Sequence, residues 1–134
     1  NILQVTESPI CGLRAAEGPR DRLAAIIQAN FAPHVFDPRK TSAWLSFYAL
    51  AQAKDDAGHL MQIYQKRLRS NLLFDLRKLT PEAEIIADTL AALIDGVYLR
   101  AALADGARSD EAFAQVSKAL DTFLTAAPLA PAES

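Results

Sequence analysis

"TLAALIDGVYLRAALADG", residues 89–106, decides how this chain folds. Leu, Ile, Val and Ala dominate it, yet Asp95 and Gly96 sit side by side in its middle. Glycine in a helix interior costs about 0.5–1 kcal/mol relative to alanine. A carboxylate among apolar neighbours costs more unless it is paired. Upstream, Thr80-Pro81-Glu82-Ala83 reads as an N-cap, a proline at the next position and an acidic first turn. Together these predict one helix from 81 to about 105, ended by Gly106. Ile86, Leu90, Leu93 and Val97 lie on one face of it, with Ala87, Ala91, Ile94 and Tyr98 beside them. Ile85, Ala92, Leu99 and Leu103 lie further round. An ordinary surface helix has one apolar stripe a little over about 100° wide, and this one is about twice as broad. It must be covered from two directions.

Working outward, every other segment reads as helix or connection. Ser8-Pro9 opens a short helix that Gly18-Pro19 stops. From Arg20, Leu23, Ile26, Ile27 and Phe31 recur at helical spacing until Pro33. Asp37 caps a helix with Pro38 at its first position that runs to about Lys54, and Gly58 marks a break. A helix from 56 or 59 to 79 carries Leu60, Ile63, Tyr64, Leu68, Leu72 and Leu76 as its stripe. Ser109-Asp110 starts a last helix to about 125, followed by the tail "AAPLAPAES". No segment shows strand alternation, so the predicted class is all-α, an antiparallel bundle of five to six helices in one domain spanning 1–134.

The totals agree. A chain of 134 residues that is 51% hydrophobic and 22% charged, with net charge −2, has material for a real core. One cysteine, Cys11, leaves no internal disulfide framework and fits a reducing, cytoplasmic setting. No apolar run reaches the roughly 18 residues a membrane span needs. A concentrated Lys/Arg face, the footprint of nucleic-acid binding, is missing.

The broad apolar helix and the last helix, with Phe113, Val116, Ala119, Leu120, Phe123 and Leu124, suggest a homodimer. Two helices from each copy would form a four-helix bundle across a two-fold axis. Its interface would draw on Ile85, Ala92, Gly96, Leu99 and Leu103, and on Phe113, Val116, Leu120 and Phe123. Gly96 would allow close approach of helix axes. The competing reading is a central helix of a monomeric bundle.

"TSAWLSFYALAQAK", residues 41–54, places Trp44, Phe47, Tyr48 and Ala51 on one helical face. That face is either a core stripe or a pocket wall. As a wall, it would attract a quaternary ammonium group through the ring quadrupoles, at about 0.5–2 kcal/mol each. Tyr64, Tyr98 and Asp95 would complete such a cage. Two readings stay open at Asp95: a structural pair with Arg100, another basic residue or a backbone N–H, or a carboxylate that neutralises a cationic ligand. In "QKRLRSNLLFDLRK", residues 65–78, Arg67 and Asn71 fall within the stripe of Tyr64, Leu68 and Leu72. They read as buried polar groups, pairing with Asp75 or Asp95 or holding a ligand oxygen.

Enzyme chemistry has no foothold. His34 and His59 are far apart, with no CxxC, no HExxH and no glycine-rich loop before a helix. No metal or cofactor is expected. Two readings then compete with a small-molecule sensor: a helical interaction module without a ligand, and a small helical enzyme resting on no motif.

In order, "RDRLAAIIQANF", "AWLSFYALA", "RLRSNLLFDLRKL" and "LAALIDGVYLRAALADG" resemble the C-terminal half of tetracycline-repressor (TetR) family regulators. The resemblance is closest to the BetI type, choline-responsive repressors. It covers residues 20–106 and is most specific at 43–47 and at 92–103. It implies an all-α domain whose last two helices pair with a second copy, a small-molecule effector such as choline, and release of operator DNA on binding. It also implies a helix-turn-helix domain before Asn1, the only part that would touch DNA. BetI-type proteins commonly carry Trp where this chain has Tyr48 and Tyr98; Tyr keeps the ring face and adds a hydroxyl.

Overall fold

Proline sets two of the helix starts. The computed structural model describes residues 18–104 and 108–126, which form five α-helices. α1 (Pro19–Asn30) starts on Pro19, behind Gly18 at φ 89°, a left-handed backbone that glycine adopts without a Cβ clash. The sequence reading had Gly18-Pro19 as a stop. Whatever precedes it lies outside the described residues; the next helix, expected from Arg20, starts one residue earlier on Pro19, because proline lacks only an N–H that has no acceptor in the first turn anyway. α2 (Pro38–Ala53) starts as expected, with the Asp37 carboxylate accepting from the Lys40 backbone N–H at 3.0 Å.

α3 (Asp55–Leu76) follows α2 after the single extended residue Lys54. Gly58 is therefore inside α3 rather than at a break. A Cβ there would stand 2.9 Å from the Ala51 carbonyl oxygen, so glycine lets the first turn of α3 ride against the end of α2. α4 (Ala83–Leu103) starts two residues later than expected, since the Thr80 hydroxyl accepts from the Glu82 N–H and closes a local turn ahead of the helix. α5 (Ser109–Ala126) completes the bundle. The expected helix from Ser8 and the stop at Gly106 lie outside the described residues.

α3 packs on α1, α2 and α4; α4 packs on α2, α3 and α5; and α5 closes back on α1. Leu23 and Ile27 of α1, Leu72 and Leu76 of α3, Ala87 and Leu90 of α4, and Val116 and Leu120 of α5 are fully buried between them. This corrects the interface expected for Val116 and Leu120. They point inward with Ala112 at i, i+4 spacing and are fully buried in the core of their own chain. Phe113 and Phe123 are partly buried against that same core.

α4 has two apolar faces. Ile86, Ala87, Leu90, Ile94 and Tyr98 are buried in the bundle. On the opposite side Ile85, Ala92, Gly96, Leu99 and Leu103 recur at spacings of seven, four, three and four residues, with Ile85 63%, Leu99 42% and Leu103 74% exposed. Among the described residues a Cβ on Gly96 would meet nothing within 4 Å, so none of them requires glycine there.

On α3 the buried line is Met61, Tyr64, Leu68, Leu72 and Leu76. Leu60, Ile63, Arg67 and Asn71 are exposed. At 3.6 residues per turn Arg67 and Asn71 sit roughly 80–120° from the centre of that line, beyond its edge. The expected burial of these two polar residues is thus corrected. Among the described residues, no helix is long and apolar enough to cross a membrane.

Candidate functional site

Trp44 is buried where α2, α3 and α4 meet, and four aromatic rings surround it. Phe47 stands edge-on with centroids 5.8 Å apart, and Tyr98 edge-on at 6.1 Å. Tyr48 and Tyr64 lie tilted at 5.9 and 5.1 Å. Helical spacing on α2 accounts for Trp44, Phe47 and Tyr48 sharing a side, and the packing of α3 and α4 brings in Tyr64 and Tyr98. Phe36, from the α1–α2 connection, meets Tyr98 edge-on at 5.1 Å, and Phe31 sits 5.7 Å from Tyr98 on another side. Edge-to-face and tilted contacts of this kind align ring quadrupoles favourably.

Each tyrosine hydroxyl in the cluster donates to a defined acceptor. Tyr64 donates to the side-chain oxygen of Asn30 at 3.0 Å, and Tyr98 to the Asn30 backbone carbonyl. Asn30, fully buried at the end of α1, returns its own amide N–H to the Ile26 carbonyl at 2.8 Å. Tyr48 donates to Oδ1 of Asp95 at 3.0 Å, bridging α2 and α4. Burial and then the nearby Asp95 charge raise the Tyr48 and Tyr64 hydroxyls well above the usual phenol range. Burial, followed by Tyr64 and Asp95, does the same for Tyr98. All three stay protonated donors at neutral pH.

Asp95 is half-buried, and its carboxyl is raised above the usual carboxylate range by loss of water, partly offset by the Tyr48 hydroxyl. Among the described residues it forms no ion pair, and Arg100 is exposed on the surface. The arrangement is a set of ring faces beside a carboxylate with no basic partner. Ring faces of this kind interact favourably with cations through their quadrupoles. Among the described residues no three His, Cys, Asp or Glu side chains gather to hold a metal ion.

Of the residues singled out in the sequence, Trp44, Phe47, Tyr48, Tyr64, Asp95 and Tyr98 come together. Arg67 and Asn71 do not. Asn71 instead lines a separate cleft of about 290 Å³ with Arg22, Ile26, Ser70, Phe74 and Asp75. There the buried Asp75 pairs with Arg22 at 3.0 Å, not with Arg67 or Asn71. Sequence reasoning missed Asn30 and Phe36. Asn30 left a signal: it falls at i+3 of Ile27 and i+4 of Ile26, a polar residue continuing an apolar stripe.

Comparison with known proteins gives a consistent picture. Residues 19–125 match the family model for the C-terminal domain of BetI-type transcriptional repressors. The HTH-type transcriptional regulator BetI of Rhizobium meliloti is 41% identical over 111 residues, covering 81% of this chain and 55% of that protein. Its namesake in Brucella anthropi is 46% identical over 103 residues, covering 75% and 53%. Among solved structures, a transcriptional regulator from Pseudomonas aeruginosa PAO1 superposes with a TM-score of 0.78 at 25% identity, covering 93% of this chain and 64% of that one. A regulator from Rhodococcus, at 20% identity and a TM-score of 0.70, covers 97% of this chain and 72% of that one and shares the fold. The chain spans about half the length of the curated relatives it matches. It belongs to the BetI-type branch of the TetR family of transcriptional regulators and carries that branch's C-terminal domain.

Proposed function

We propose that this domain senses a small cationic effector, a quaternary amine such as choline, and holds two copies of the regulator together. Binding in the aromatic cluster would shift the paired DNA-binding heads of the whole protein away from the spacing that fits the operator. One observation carries the effector reading: four rings around Trp44 stand beside a half-buried carboxylate that has no cationic partner among the described residues. Each ring contributes about 0.5–2 kcal/mol toward a desolvated cation, and Asp95 supplies the counter-charge. The dimer reading rests on the exposed residues Ile85, Ala92, Leu99 and Leu103 with the half-buried Gly96 among them, an apolar line that a two-fold partner helix covers naturally.

Trp44 is the only tryptophan in the chain, so its fluorescence reports on the cluster directly. Titration with choline is expected to give saturable quenching, and the neutral isostere 3,3-dimethylbutan-1-ol none. Trp44→Phe is expected to weaken choline binding about tenfold, read by calorimetry, as one strong ring face is exchanged for a weaker one. A flat fluorescence response to choline and glycine betaine alike would reject the cationic effector and leave the rings as core.

A further inference from the structure

The half-buried carboxylate raises a problem that the ring cluster does not solve. Asp95 lies on α4 between the buried and exposed faces, where loss of water favours its neutral form, and a neutral acid does not attract a cation. Among the described residues no Lys, Arg or His pairs with it. Among the described residues, the hydrogen bond to its carboxylate comes from the hydroxyl of Tyr48 on the neighbouring helix.

We propose that Tyr48 is a positioning residue for Asp95: its hydroxyl, 3.0 Å from Oδ1, holds the carboxylate ionised and fixes it beside the Trp44 cluster, so that α2 supplies the ring and also keeps the charge on α4. A hydrogen bond donated to the charged form of an acid favours that form. Tyr48 also resists losing its own proton, which keeps it a donor throughout the neutral range. Among the described residues, Tyr64 from α3 and Tyr98 from α4 also feel the Asp95 charge. Both hydroxyls are committed to Asn30. The inference rests on the cationic-effector reading for its consequence, but the Tyr48–Asp95 relation is measurable without any ligand.

The sign follows from the geometry. A cation binds the ionised acid, so affinity is expected to fall on acidification through the raised Asp95 pKa. Tyr48→Phe keeps the ring and removes the donor, so the loss of affinity begins at higher pH. Two measurements on the whole chain test this. The first follows the Asp95 carboxyl ¹³C shift against pH, without ligand, in wild type and Tyr48→Phe. The second follows tetramethylammonium affinity by Trp44 quenching across the same range, with Asp95→Asn as the variant expected to be weak and flat in pH. The expected result is an upward shift of the Asp95 midpoint by about one unit, a tenfold change in proton affinity, with the acid limb of the affinity curve moving the same way. An unchanged Asp95 midpoint in Tyr48→Phe overturns the proposal, even if tetramethylammonium binds both proteins. Absence of tetramethylammonium binding in wild type overturns the effector reading, and the carboxyl titration then decides the role of Tyr48 alone.

Discussion

Asn30 does more than its position at a helix end suggests. Its side chain and its backbone carbonyl receive the hydroxyls of Tyr64 and Tyr98, so one residue ties α1 to α3 and α4 at the floor of the ring cluster. Buried hydroxyls left without a partner cost about 1–3 kcal/mol. Asn30→Leu keeps the branched shape and heavy-atom count but removes the acceptor of Tyr64, and is expected to lower unfolding free energy by about 2 kcal/mol in urea titration. A change below about 0.5 kcal/mol would mean that Tyr64 finds another acceptor. At this scale the sequence was partly legible. Trp44, Phe47 and Tyr48 share a face by helical spacing alone, whereas the partner of Asp95 was not readable, because Tyr48 lies 47 residues away and only the crossing of α2 over α4 brings it to 3.0 Å. Arg67 and Asn71 failed for a related reason: a period places residues on a face, but which part of that face is covered depends on where the neighbouring helices lie.

At the scale of the element, α4 is a helix with two opposed apolar faces, one filled by its own chain and one open. The breadth of its apolar surface was legible in the sequence; which side belonged to the bundle was not. α5 was the reverse case: Val116 and Leu120 look like interface residues until the packing of α5 on α4 and α1 consumes them. These two faces give opposite predictions. Leu99→Arg on the open face is expected to convert a dimer to a monomer in analytical ultracentrifugation, with helix content by circular dichroism unchanged, since exposed substitutions usually shift stability within about 0.5 kcal/mol. A dimer that persists in Leu99→Arg and in Ile85→Arg would assign pairing to another surface. Gly96 belongs to the same face, and its open surroundings fit a position kept small for a partner that approaches from outside.

For the whole molecule, stability rests on one hydrophobic core to which all five helices contribute. The core that joins α1, α3, α4 and α5 contains Leu23, Leu72, Leu90 and Leu120, all fully buried. Leu120→Ala is expected to lower unfolding free energy by about 2–5 kcal/mol, through lost transfer energy and the cavity left behind, and to do so equally at all protein concentrations. A loss that appears only where the protein is dimeric would place Leu120 at the interface after all. The α1 helix is also held by charge at two points, through Arg22 to the buried Asp75 of α3 and through Arg20 to Asp121 of α5. With Tyr98 on the Asn30 carbonyl and Ser109 on that of Phe31, the C-terminal end of α1 is bound to α4 and α5 as well.

What the sequence by itself determined was local. Proline and Asp37 set helix starts, apolar periodicity set helix number and class, and the order of its most specific runs set the family, because these are properties of neighbouring residues and need no fold to express them. What only the tertiary structure decided was which side of each helix is inside and which polar group meets which: Tyr48 with Asp95, Tyr64 and Tyr98 with Asn30, Asp75 with Arg22. Those pairings arise where helices distant in sequence cross, and the helical period that reveals a face carries no information about the angle or neighbour at which that face is met.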